Sequence, residues 1–388
     1  MRYDSSRLPD FSVREGSGRK STFDLFFFLI VLLLLAVGVV MILSASYPRA
    51  YYDPGGVTGG KASYYFLRQL VYAALGVGAM LLASKLPMGF YRRYAPAFLA
   101  LTLLLLLLVP LIGVKANGSR RWIGIGGLTL QPSELAKLAV ILIFALLICR
   151  FRGRMKCFRY GILPFVGLLG LLVALLVLEP HFSASVILLA LGAAMMFLGG
   201  VRIFWFVSAF AAVGGAVAVL MAFFPYASSR LSTWRDPFSS SSDEGYQIVQ
   251  SLYAIGSGGL SGLGLGGSRQ KYLYLPEEHN DFIFSVVCEE LGFIGAAFIL
   301  ILFAMLILRG YWIALHCRDR FSCLVCAGIT TLLAIQVFLN VAVVTNLLPC
   351  TGISLPFFSY GGTALLIQLA EMGIVLSASR DLILTNGT

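Results

Sequence analysis

Apolar runs of about twenty residues, nearly free of charge, recur along the chain between short polar connections. That length crosses a bilayer as a helix, and backbone in lipid must satisfy its own hydrogen bonds, so each run reads as a helix. The runs fall at about 24–46, 66–84, 94–113, 132–150, 160–178, 183–200, 203–224, 281–308, 322–344 and 361–379. The expected fold is an all-α polytopic integral membrane protein with about ten transmembrane helices. The alternating pattern of a membrane β-barrel is absent. The longest polar interval, about 225–280, holds a serine run (Ser239 to Ser242), a glycine-rich stretch and an apolar helical segment from Tyr246 to Ile255. It reads as a partly ordered loop against the membrane.

Composition agrees. Of 388 residues, 59% are hydrophobic and 12% charged, more apolar surface than a soluble domain of this size hides. The net charge of +11 reports sidedness rather than a nucleic-acid partner. With the N-terminus inside, the inner segments hold about two Lys or Arg for each one outside. Both termini are then cytoplasmic, with tails at 1–22 and 381–388, a single membrane domain at 23–380, and the 225–280 interval outside. Ser44-Ala45-Ser46 vaguely resembles a signal-peptidase site, but the preceding apolar run is too long for a signal peptide and reads as a retained span. The seven cysteines lie mostly in or beside apolar runs and read as small buried hydrophobes; Cys323 and Cys326 lack the second pair that a zinc site needs.

Charges within or beside spans are costly unless paired or hydrated, so they are functional candidates. Here they are Glu134, Lys137, Glu179, Asp281, Glu289, Glu290 and Glu371. Glu134 and Lys137 share a helix face, either as a local ion pair or with Lys137 countering another carboxylate across a cavity. Glu289 and Glu290 are adjacent and point apart. Asp281 opens the eighth run, as a helix-start acid or as a working carboxylate. Lys115, Arg120, Arg121, Arg230, Arg235, Arg269 and Lys271 fall in outer loops, either as a solvated face or as ligands for an anion such as phosphate.

Several motifs carry little. Gly262, Gly264 and Gly267 match a dinucleotide fingerprint, but no strand precedes them, and flexible turns explain them better. Asn117-Gly-Ser and Asn386-Gly-Thr are weak glycosylation sequons. His279 with Asp281 is too small a set for zinc.

The string YQIVQSLYAIGSGGLSGLGLGGSRQKYLYLPEEHNDFIFSVVCEELGFIG resembles the signature of the SEDS family (shape, elongation, division and sporulation proteins). NGSRRWI (117–123), QPSELAK (131–137), EPHFSAS (179–185) and NLLPCTGISLPFFSYGGTALL (346–366) follow in the family's order and spacing. The glycine-rich block is most similar to the division and sporulation branches, less so to the elongation branch. The resemblance implies a peptidoglycan glycosyltransferase of the bacterial cytoplasmic membrane that polymerises lipid II into β-1,4 glycan strands. It implies work beside a class B penicillin-binding protein and other division membrane proteins, among membrane lipids and without nucleic acid. It implies that Asp281 is the essential carboxylate and that Trp122 is the motif tryptophan. Arg120, Arg121, Glu134, Lys137, Lys271, His279 and Ser359 are the further candidates for substrate binding or tuning. This chain departs from the family pattern at His181, where Asp is usual, at Ala184-Ser185, and at Cys350.

The implied chemistry turns an α-linked diphosphate into a β-glycoside, an inversion in one displacement. Diphosphate leaves as a stable anion, so one general base and some cations suffice. Asp281 is the expected base, with Arg120, Arg121 or Lys271 on the diphosphate and the polyprenyl tail in a lipid-open groove. No cofactor is evident; a divalent cation such as Mg²⁺ is compatible with carboxylate and substrate oxygens. A transporter of lipid-linked precursor and a non-catalytic division scaffold are the alternatives.

Overall fold

The computed structural model describes residues 23–53, 55–116, 119–125, 128–209, 211, 234–239 and 243–382. Its helices are α1 (Leu25–Tyr51), α2 (Tyr64–Lys85), α3 (Met88–Ile112), α4 (Pro132–Arg150), α5 (Phe158–Gly161), α6 (Leu163–Leu178), α7 (Phe182–Leu198), α8 (Asp243–Gly258), α9 (Ile283–His316), α10 (Arg320–Val344) and α11 (Thr363–Ala378). Local chemistry sets several starts. The Asp24 carboxylate accepts from the Phe27 amide at 2.9 Å to cap α1, and Asp319 caps α10 through the Ser322 amide. Pro132 and Pro164 sit in the first turns of α4 and α6, where a missing N–H costs nothing.

Among the described residues, seven helices are long and apolar enough to cross a membrane: α1, α2, α3, α4, α5 with α6, α9 and α10. α7 is a shorter apolar helix, and α11 occupies the last expected position. The expected span at 203–224 is helical at 203–209 and at 211, and its other residues lie outside the described ones. The helical segment expected at Tyr246–Ile255 is present as α8. Both expected tails, 1–22 and most of 381–388, lie outside the described residues.

α4 is largely buried. Every residue from Ala136 to Ala145 is buried, which explains why its sequence is apolar all round. It packs against α3, α7, α10 and α11. Exposed Leu67, Leu104, Phe298 and Ile301 lie on the periphery, as a lipid-facing surface requires.

The all-α expectation needs one correction. β1 (Val114–Ala116), β2 (Ser119–Ile125) and β3 (Leu128–Leu130) form a three-stranded antiparallel sheet between α3 and α4. Val114 faces Trp122, and Ile123 faces Leu130. The strands are joined through Asn117-Gly118 and Gly126-Gly127, dipeptides that favour tight hairpins.

α9 is broken at Gly292, whose φ of 66° and ψ of −170° are not helical. The glycine-rich stretch supplies what the break exposes. The Leu263 and Gly264 amides donate to the Glu289 and Glu290 carbonyls at 3.0 Å, and the Phe293 and Ile294 amides donate to Gly259 and Leu260. A Cβ on Gly292 would stand 2.3 Å from the Gly262 nitrogen, and one on Gly262 would stand 2.2 Å from the Glu290 oxygen. The glycines dismissed as a nucleotide motif therefore permit a backbone-to-backbone seam. Gly292→Ala should cost roughly 1–3 kcal/mol from backbone strain alone, with the clash added. The measurement is detergent-solubilised thermal stability; an unchanged melting temperature would contradict the seam.

Candidate active site

The loop after α8 reaches α9 through the residues PEEHND, 276–281. Three successive carbonyls there are held. The Tyr360 amide donates to His279 at 2.9 Å, the Ser359 hydroxyl to Asn280 at 2.7 Å, and the Asn340 side-chain amide to Asp281 at 2.8 Å. The same Asn340 nitrogen donates to Ile353 at 2.6 Å, and the Leu355 amide donates to Ser359 Oγ at 2.7 Å. Gln69 of α2 donates to the Ser359 carbonyl at 3.2 Å. The irregular segment 353–359 is thereby buried within protein, where non-helical backbone at membrane depth is tolerated.

Side chains of the same loop are pinned as well. Arg49, at the end of α1, donates from Nε and Nη2 to the two Glu278 oxygens at 2.8 and 3.1 Å. Burial pushes the Glu278 carboxyl up, but its contacts with His279 and Arg49 outweigh this and hold it below the usual range. His279 Nδ1 is 3.5 Å from Glu278, too poorly aligned for a hydrogen bond, and its ring packs on Tyr65 with centroids 4.7 Å apart.

Asp281 itself is left free. It does not cap α9: Phe282 takes that position, and no side chain bonds the first-turn amides. Among the described residues, none hydrogen-bonds its carboxylate. The group lies deep in the fold yet stays partly open to solvent. Burial, reinforced by Glu277 and opposed by His279 and Arg121, raises its pKa to about 6. Gly352, at a φ of 58°, gives it room, since a Cβ there would come 3.0 Å from Oδ2.

Arg121 turns toward this recess. Its Nη2 donates to the Pro180 carbonyl at 2.6 Å, and its charge acts on both Asp281 and Glu179. Neighbouring side chains alternate along a strand, so Arg120 faces the other way and donates to Pro110 at 3.1 Å on the exposed side. Trp122 is half-buried beside them. Glu134 and Lys137 form the local ion pair at 2.6 Å, both buried. Lys137 also acts electrostatically on His181 and on Glu371 of α11. Burial, with the charges of Arg121 and Lys137, lowers the pKa of His181 to about 3, so its imidazole is neutral.

Lys271 needs correction as a diphosphate ligand. It is 2% exposed, and its Nζ donates to Glu290 at 2.8 Å, Ser44 at 3.0 Å and the Gly266 carbonyl at 2.8 Å, leaving no donor for a ligand. Glu289 likewise accepts from Ser268 Oγ and from the Arg269 amide at 2.9 Å. Both adjacent carboxylates anchor the loop. Neither Asn340 nor Arg49 stands out in the sequence; only their long-range partners reveal them.

The fold and this recess define a multi-pass helical membrane protein with an unpartnered carboxylate held near one face. The family model of the FtsW/RodA/SpoVE cell cycle proteins matches residues 24–383, and the chain belongs to that family. It is 39% identical over 366 residues to stage V sporulation protein E of Bacillus subtilis, covering 93% of this chain and 98% of that one. It is 38% identical over 369 residues to a probable peptidoglycan glycosyltransferase FtsW of Trichlorobacter lovleyi, covering 94% and 95%. In structure it is similar to a chain of a peptidoglycan synthase complex studied for coordination of polymerization and crosslinking, with a TM-score of 0.75, 29% identity, and coverage of 92% and 98%. It is also similar to the rod shape determining protein RodA of Thermus thermophilus, with a TM-score of 0.65, 27% identity, and coverage of 93% and 97%.

Removing Lys271 would leave Glu290 buried and unpaired. Lys271→Met should therefore destabilise the protein by about 3–5 kcal/mol. Lys271→Met combined with Glu290→Leu should recover much of that loss. Thermal unfolding in detergent tests this; a fully stable single variant would contradict the anchoring role.

Proposed function

We propose that the chain is a peptidoglycan glycosyltransferase that polymerises lipid II into β-1,4 glycan strands at the outer face of the bacterial cytoplasmic membrane, in division or sporulation. The observation that carries this reading is Asp281: a deep, accessible carboxylate without a partner, on a backbone held at three successive carbonyls and near a guanidinium. The naming of relatives as probable peptidoglycan glycosyltransferases supports the reaction class. The likeness to a chain of a peptidoglycan synthase complex supports a cross-linking partner of the class B penicillin-binding type.

In this mechanism Asp281 accepts the proton of the acceptor sugar's 4-hydroxyl as that oxygen attacks the anomeric carbon of the chain's terminal sugar. The bond to the diphosphate breaks, and the lipid diphosphate leaves as an anion. A pKa of about 6 leaves Asp281 ionised at neutral pH yet basic enough to take the proton. Arg121 stabilises the charge on the departing diphosphate. The Glu134–Lys137 pair tunes the recess through its field, His279 and Ser359 hold the loop that carries Asp281, and Trp122 contributes a half-buried aromatic face nearby, while Arg120 is turned away toward Pro110. Among the described residues, no group of three or more His, Cys, Asp or Glu is arranged to hold a metal. A divalent cation would rest on Asp281 and substrate oxygens, neutralising charge on the leaving group.

A groove of about 390 Å³ between α1 and α9 is lined by Val37, Val40, Met41, Leu291, Phe298 and Ile299. It lies next to the Lys271–Glu290 anchor and suits a polyprenyl chain. A transporter would use the free backbone groups of a broken helix to bind its cargo. Here the break in α9 is closed by the 259–264 segment, which disfavours that reading.

Glycan polymerisation from purified lipid II, with the partner synthase present, tests the proposal. Wild type should form polymer, and a folded Asp281→Asn variant should lose at least about a hundredfold in rate, the scale of a general base. Equal activity in both proteins would remove Asp281 from the chemistry.

A further inference from the structure

Glu179 lies at the corner between α6 and α7 and is 1% exposed. Both of its carboxyl oxygens are buried without a hydrogen-bond partner, as is Arg121 Nε in the same corner. The corner is fixed from two sides. Arg121 donates to Pro180, the residue after Glu179, and Ser183 Oγ donates to the Thr351 carbonyl. Thr351 precedes Gly352, which lies against Asp281 Oδ2. Glu179 and Asp281 thus both lie within the field of Arg121, and a buried acid without a partner is costly unless something fills its valences.

Resting on the glycosyltransferase reading, we propose that Glu179, in its protonated form, binds the diphosphate of the lipid-linked donor beside Arg121. The carboxyl O–H donates to a phosphate oxygen, and Arg121 supplies the positive charge. An anion fits this set better than a cation, because a neutral acid beside a guanidinium leaves the corner with one positive charge. Burial keeps the proton on Glu179 by raising its pKa to about 8, against the pull of Arg121. Arg121 on β2 is the charge that acts on Glu179; His181 of the same corner stays neutral and faces Arg121 and Lys137 of α4. Asp281 and Glu179 face the same guanidinium. Above the pKa of Glu179 a second negative charge would oppose Arg121 and repel the diphosphate. Binding is therefore full below about pH 8 and weakens as pH rises through it.

The test is binding of undecaprenyl diphosphate to the purified full chain in detergent at pH 7 and pH 9, separately from any polymerisation assay. Ionisation at about pH 8 predicts an approximately tenfold weaker Kd at pH 9 for wild type. Glu179→Gln keeps a neutral donor, so it should bind like wild type at pH 7 and lose the alkaline weakening. Glu179→Leu should bind at least about tenfold more weakly than wild type at pH 7 and show no further weakening at pH 9. The same alkaline loss in Glu179→Gln, wild-type binding by Glu179→Leu, or no binding by wild type would overturn the proposal. Polymer formation by wild type would still stand in those cases, whereas its absence would count against the glycosyltransferase reading alone.

Discussion

Backbone outside a helix has no place in a membrane protein unless its N–H and C=O groups find partners within the protein. The arrangement around Asp281 follows from that demand. The carbonyls of His279, Asn280 and Asp281 are taken by Tyr360, Ser359 and Asn340, and those residues belong to or brace the buried irregular segment before α11. Two non-helical stretches, distant in sequence, satisfy each other. The result is a loop with little freedom to move and one side chain, Asp281, with no partner of its own. A carboxylate held this way needs little reorganisation when a ligand arrives.

The same logic governs the buried charges. Arg49 with Glu278, Lys271 with Glu290 and Lys137 with Glu134 each place a carboxylate against a cation at 2.6–2.8 Å. The first two pairs fasten the loop to α1 and α9; the third lies within α4. Asp281 and Glu179 are exceptions, and Arg121 lies within the field of both. Buried or deep carboxylates without a cation of their own are candidate positions for a ligand.

Much of this was legible in the chain itself. Apolar run length located the helices, because lipid leaves the backbone few choices. Asp281, Glu134 and Lys137 were visible as charges in expensive places. Lys271 was misjudged because its partners, Ser44 and Glu290, are 227 and 19 residues away and no local pattern announces them. The small sheet was overlooked although Asn117-Gly118 and Gly126-Gly127 are hairpin signals; three short strands carry little weight beside long apolar runs. Asn340 was not singled out, although the cost of a polar residue within a span was an available clue.

In the proposed mechanism one clamped carboxylate, Asp281, is the base, with a pKa raised by burial. The pH dependence of kcat/KM for lipid II polymerisation tests it most directly, since that ratio reports ionisations of the free enzyme. The profile should show an acid limb with an apparent pKa of about 6, below which the rate falls about tenfold per pH unit. A rate that stays flat down to the ordinary Asp range, near pH 4, would contradict it.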